Sequence, residues 1–178
     1  MDPIAIIQKY YPQNSKAYPI LVDHCRLVAD KAVSIALNHP ELNIDVKFVE
    51  EAAMLHDIGV FLTNAPGIGC YGEKQYLCHG YLGSEIVHAE GFPAHALVCE
   101  RHTGTGLSID DIREIGYSIP LRDMIPISIE EQLICFADKF FSKTKPGVEK
   151  SIVKVRENIA RYGLHHVKRF DHWCELFL

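Results

Sequence analysis

The longest stretch with one regular pattern is Ser15 to Asn38, where Ile20, Leu21, His24, Leu27, Val28, Lys31 and Ile35 recur at three- and four-residue steps. Such a stripe covers one face of an α-helix. Almost nothing in the chain alternates with period two for long enough to build a sheet. The expected class is therefore all-α, a bundle of short and medium helices. His39-Pro40 closes the first long helix, because the residue before proline avoids helical dihedrals. Asp45 is placed to cap a second helix through Val49, Ala52, Ala53, Leu55 and His56 to about Gly59. Helical patterns resume over His79–Ala89, Pro93–His102 and Ser108–Ile115, separated by glycines. Ser128-x-x-Glu131 reads as a capping box opening the apolar helix that carries Asp138. After Pro146-Gly147, the residues Val148, Ile152, Val155 and Ile159 mark a basic amphipathic helix, and a last segment ends in Trp173 and Phe177.

A chain of 178 residues suits a single domain (1–178), with a motif-bearing core at about 15–142 and C-terminal helices at 147–178. Eighteen basic against 23 acidic residues leave a net charge of −5, which does not favour a nucleic acid polymer as partner. Small substrates fit better. The first residues lack the basic start and long apolar run of a signal peptide, and no segment approaches the ~20 apolar residues of a membrane helix. Six cysteines without a C-x-x-C pair read as reduced thiols, and the expected location is cytoplasmic, with no membrane partner.

Three features carry chemistry. His56-Asp57, followed by Ile58-Gly59, joins an imidazole nitrogen to a carboxylate oxygen, a donor pair suited to a divalent ion of intermediate hardness. Neighbouring helical residues point ~100° apart, so both reach one ion only near a helix end, which Gly59 is expected to supply. His24 stands where the first helix's stripe calls for an apolar side chain, so its imidazole needs a partner. Asp138 lies in a helix apolar on most sides, where a carboxylate must be paired with a cation such as Lys139 or Arg101, or bind metal.

In this order His24, His56-Asp57 and Asp138 resemble the H…HD…D signature of the HD-domain superfamily of metal-dependent phosphohydrolases, and more particularly its H-D-I-G subgroup. His79 and His102 extend the resemblance to the branch with paired metals. It implies a first ion on His24, His56, Asp57 and Asp138, with Asp57 bridging to a second held by His79 and His102. The implied cofactors are two divalent metal ions, from among Fe, Mn, Zn and Ni. Such ions lower the pKa of bound water to about 7 and support in-line displacement at phosphorus. The expected activity is hydrolysis of a phosphoester or phosphoanhydride of a small metabolite or nucleotide, with Asp57 at the centre of catalysis. Arg101 and Lys139 are the expected charge stabilisers, and Lys74 is a further nearby cation.

The sequence departs from the cyclic-dinucleotide branch, where a lysine follows H-D-I-G, because that position is Val60. Arg101-His102-Thr103-Gly104-Thr105-Gly106 lacks most of the H-D-G-Y-P pattern. The same six positions also resemble HD-domain di-iron oxygenases. A metal-binding regulatory module is the third reading, although structural sites are usually richer in thiolate. The irregular stretch from Phe61 to Cys78 is a candidate substrate-facing lid, and its Gly67-x-Gly69-x-x-Gly72 reads as a flexible loop. Selectivity is expected from Phe61–Cys78 and Gly104–Pro126. Lys143, Lys145, Lys150, Lys154 and Arg156 read as a solvated basic helix face, with attraction of an anionic substrate the alternative.

Overall fold

The computed structural model describes residues 1–116 and 119–178 of the chain. Tyr117 and Ser118, within the Gly104–Pro126 stretch expected to shape the pocket, lie outside the described residues. The architecture is an all-α bundle. Its helices are α1 (Pro3–Tyr10), α2 (Ala17–Asn38), α3 (Val46–Leu55), α4 (His79–Ala89), α5 (Pro93–Arg101), α6 (Ile109–Ile115), α7 (Ile129–Asp138), α8 (Ile152–Ile159) and α9 (Leu164–Phe177).

The apolar stripe of α2 explains its central place. Leu21, Cys25, Val28, Ala32 and Ile35 are buried, and the helix packs on α3 and α7. Helix α7 contributes Leu133, Ile134, Phe136 and Ala137 to the same core, all fully buried. On its far side Phe136 packs against Phe140, Phe170 and Phe177, so α9 closes the bundle with aromatic area. A second, smaller core joins Cys78, Leu82, Leu107, Ile112, Ile119 and Met124 beneath α4 and α6.

Caps set most helix starts. The Asp45 carboxylate accepts the Phe48 N–H, and Ser108 with Asp111 forms a full capping box. The Ser128 hydroxyl accepts the Glu131 N–H as expected, but the reciprocal half is absent. Glu131 instead accepts the Ile127 N–H and pairs with Arg101. Ser151 caps α8, which therefore begins at Ile152; Val148 lies outside it and is exposed.

Two other expectations need correction. Helix α3 ends at Leu55, not near Gly59, and Ile58–Leu62 continues as a 3-10 helix. The stretch from Phe61 to Cys78 is not one open loop: β1 (Asn64–Ala65) and β2 (Cys70–Tyr71) pair antiparallel around a 3-10 turn, and another 3-10 turn at Tyr76–Cys78 leads into α4. No helix among the described residues is long and apolar enough to cross a membrane.

Candidate metal centre

The early end of α3 makes the site. His56 is its C-cap residue and Asp57, at φ −106 and ψ 9, has left the helix, so two adjacent side chains converge although helical neighbours diverge. The turn after them is held by Tyr11, whose buried hydroxyl donates to the Ile58 carbonyl (2.9 Å) and accepts the Phe61 N–H (2.9 Å). Gly59 lets α4 approach: a β-carbon there would lie 2.3 Å from the His79 carbonyl oxygen and 2.4 Å from the Gly83 nitrogen. At Gly80 a β-carbon would meet Thr103 Oγ1 at 2.7 Å and the Cys99 carbonyl at 2.9 Å. This contact brings the start of α4, with His79, against the end of α5, with His102. Helix α2 supplies His24 and the last turn of α7 supplies Asp138.

All six residues expected as ligands meet. His24 Nε2 lies 3.0 Å from both Asp57 Oδ2 and Asp138 Oδ1, and His56 Nε2 lies 2.9 Å and 3.6 Å from the same two oxygens. The other oxygen, Asp57 Oδ1, faces His79 Nε2 at 3.2 Å and His102 Nε2 at 3.5 Å. Two donors each ~2.0–2.2 Å from one ion stand about 3.0–3.6 Å apart at octahedral to tetrahedral angles. Both groups fall in or close to that range. Asp57 thus offers one oxygen to a His24–His56–Asp138 set and the other to a His79–His102 set.

Hydrogen bonding argues for cations in both sets. The Nδ1 atoms of His56, His79 and His102 lie 2.6, 2.6 and 2.7 Å from the carbonyls of Ala53, Tyr76 and Cys99. A carbonyl only accepts, so Nδ1 carries a proton in each ring, and whenever the ring is neutral Nε2 turns its lone pair inward. Burial pushes the His79 imidazole down to about 3 and lowers His102 as well, so both rings are neutral at pH 7. Their Nε2 atoms are nevertheless 2.9 Å apart. Two facing lone pairs repel, and a shared divalent ion turns that repulsion into ligation. The fully buried Asp57 Oδ1 and His56 Nε2 likewise have no hydrogen-bond partner.

The first set holds two buried carboxylates among cationic neighbours. Burial works against charge on Asp57 and Asp138, yet Lys143 and His56 hold Asp57 well below the usual carboxylate range, and Lys139 and His24 do the same for Asp138. Burial also opposes charge on His56, but Asp57 and Asp138 outweigh it and raise its proton affinity well above normal. The residues present therefore fit divalent ions, and mixed imidazole and carboxylate donors suit first-row metals. No cysteine belongs to these sets; five of the six are buried free thiols elsewhere.

The expected stabilising cations are arranged differently. Arg101 gives its Nη1 to both oxygens of Glu131, at 3.0 and 2.9 Å, so this guanidinium fastens α5 to α7 instead of entering the centre. Lys139 donates to Asp138 Oδ2 (2.8 Å) and to the His102 carbonyl (3.0 Å), orienting a ligand from behind. Lys74 is exposed on the hairpin side. The cation that reaches Asp57 is Lys143, whose ammonium pairs with Asp57 Oδ2. The solvated-face reading fails for Lys143 and also for Lys150, which donates to the carbonyls of Lys139 and Phe141. A cavity of about 480 Å³ opens onto the first set. Lys143, Ser142 and Thr144 line one side, and Ala65, Ile68 and Tyr76, from the stretch expected to be a lid, line the other.

Comparison with known proteins agrees with this geometry. The chain is 31% identical over 149 residues to uncharacterized protein MJ0778 of Methanocaldococcus jannaschii, covering 82% of this chain and 79% of that one. It is 29% and 26% identical to two proteins named tRNA (cytidine(56)-2'-O)-methyltransferase, from Thermoplasma volcanium and Picrophilus torridus. Those matches cover 81% and 82% of this chain but only 37% and 38% of the methyltransferases. No solved structure matches significantly. The HD domain family matches residues 21–142, a span that begins ahead of His24 and ends beyond Asp138. With the paired histidine–aspartate centre inside that span, the chain belongs to the HD domain family.

Proposed function

We propose that the chain is a hydrolase of a phosphoester or phosphoanhydride in a small metabolite or nucleotide. Two divalent ions would be held by His24, His56, Asp57 and Asp138 on one side and by Asp57, His79 and His102 on the other. The observation that carries the reading is the division of labour at Asp57, whose two oxygens face different histidine sets. When bound, a pair of divalent ions supplies an activated water and neutralises charge on a transferring phosphoryl group.

The chain's own residues do the rest. Lys143 lies at the junction of Asp57 and the cavity, where its ammonium holds a phosphoryl oxygen, the role expected of Arg101 or Lys139. The hydroxyls of Ser142 and Thr144 add donors on the same wall, and Tyr76 offers a ring face to the organic part of the substrate. The volume is that of a small-molecule site. The net charge of −5 favours a metabolite over a nucleic acid polymer, and the chain spans less than two fifths of the methyltransferases, so their activity is not carried over. A lysine facing the substrate cavity favours anion binding over the oxygen chemistry of a di-iron centre. We place the protein in the cytoplasm with no membrane partner, as its reduced thiols suggest.

The test is phosphate release from a panel of nucleoside phosphates and sugar phosphates, using protein loaded with Mn²⁺ or Fe²⁺, beside an oxygen electrode. At least one substrate is expected to release phosphate without oxygen uptake. Lys143→Met should reduce that rate by about 10²–10³-fold while ion content stays constant. Oxygen uptake with no phosphate release, or full activity in Lys143→Met, contradicts the proposal.

A further inference from the structure

A separate cluster of metal-type donors lies between α6 and α9 and shares no residue with the centre above. Asp111 Oδ1 faces His165 Nε2 at 2.9 Å and His166 Nε2 at 3.6 Å. Asp111 is on the first turn of α6, and the histidines are on the first turn of α9. The 3.6 Å separation is too long for a hydrogen bond but within the ~3.0–3.6 Å between two donors on one ion.

The surroundings orient each donor. The other Asp111 oxygen, Oδ2, is taken by the Ser108 N–H and hydroxyl (both 2.7 Å), which leaves Oδ1 directed at the histidines. His166 is buried, with its Nδ1 fixed on Thr105 Oγ1 at 2.7 Å, the second hydrogen bond that ligating imidazoles commonly make. His165 folds back so that its ring packs at a tilt against His166, with centroids 4.2 Å apart. Gly163 makes room for that fold, since a β-carbon there would lie 3.0 Å from His165 Cε1. The opposing positive groups are the free amides of the α9 terminus and Arg169. The Arg169 guanidinium is turned onto the carbonyls of Thr105 and Gly106.

We propose that Asp111, His165 and His166 form an additional divalent-cation site of zinc type, open to solvent at its remaining positions, that fastens the first turn of α9 to α6. Two imidazoles and one carboxylate suit a borderline ion such as zinc more than magnesium or calcium, which prefer oxygen ligands. The proposal does not depend on the phosphohydrolase reading.

The experiment is calorimetric titration of chelator-treated protein with Zn²⁺, comparing wild type with His165→Gln. His165 is half exposed, and the glutamine amide keeps a hydrogen bond to Asp111 while binding zinc poorly. The variant should unfold at the wild-type temperature in chelator, bind one equivalent of Zn²⁺ fewer, and show less Zn²⁺-induced thermal stabilisation. A second variant, Asp138→Ala, separates the sites: it should lose ions from the histidine–aspartate centre and keep the equivalent that His165→Gln removes. Equal Zn²⁺ stoichiometry in wild type and His165→Gln overturns the proposal, whatever becomes of the other centre.

Discussion

Gly59→Ala isolates the geometric reason for glycine after His56-Asp57-Ile58. The added β-carbon would stand 2.3 Å from the His79 carbonyl oxygen and 2.4 Å from the Gly83 nitrogen, both backbone atoms of α4 that no rotamer change can move. Restoring ordinary van der Waals contact requires α4 to retreat by about 1 Å. His79 rides on that helix, so its present 3.2 Å separation from Asp57 Oδ1 would grow to about 4 Å, beyond what two donors to one ion allow. Overpacking of this kind costs about 1–3 kcal/mol. With a urea m-value of about 2 kcal/mol/M, the middle of the usual range, the midpoint should fall by roughly 0.5–1.5 M. Urea unfolding of chelator-treated protein and elemental analysis of reloaded protein measure the two effects. Gly59→Ala should lose the ion of the His79–His102 set and retain the other. Gly67→Ala is the control, because nothing lies within 4 Å of a β-carbon there. A Gly59→Ala protein with wild-type midpoint and wild-type ion content refutes the reasoning.

Two further outcomes follow from buried polar groups near the centre. Tyr11→Phe removes the hydroxyl shared by Ile58 and Phe61 and should destabilise the fold by about 1–3 kcal/mol, read from urea midpoints; an unchanged midpoint would mean that the turn does not need this bridge. The depressed His79 pKa, about 3 against ~6.5 unfolded, makes the unfolded chain bind its proton first as pH falls. This contribution to stability is fully present above pH 6.5 and is lost as pH falls toward 3, by up to about 1.4 kcal/mol per pH unit. Chelator-treated wild type should therefore weaken across that window more steeply than His79→Gln; parallel curves would show that His79 titrates normally.

What could be read from the sequence were the local rules and the ligand types. The α2 stripe, the caps at Asp45 and Ser128, and six donors spaced over several helices all reappear where they were expected, whereas the full capping box at Ser108 was not foreseen. The misreadings lie where tertiary contact overrides local pattern. Gly59 looked like a helix terminator, yet α3 stops at Leu55 and the glycine serves close packing against α4. Lys143 follows α7 in a segment without periodicity, so no spacing rule could aim it at Asp57, while Arg101, nearer a ligand in sequence, is captured by Glu131. Asp111 and His165 are 54 residues apart, and only the docking of α9 brings them together.

The central claim is that Asp57 joins two ions through its two oxygens, and electron paramagnetic resonance of Mn²⁺-loaded protein tests it most directly. Using His165→Gln removes the contribution proposed for the α6–α9 cluster. A shared carboxylate should give two Mn²⁺ per chain with exchange-coupled spectra, and Asp57→Asn should abolish the coupling. One Mn²⁺ per chain, or two with the uncoupled six-line pattern of isolated ions, would contradict the account.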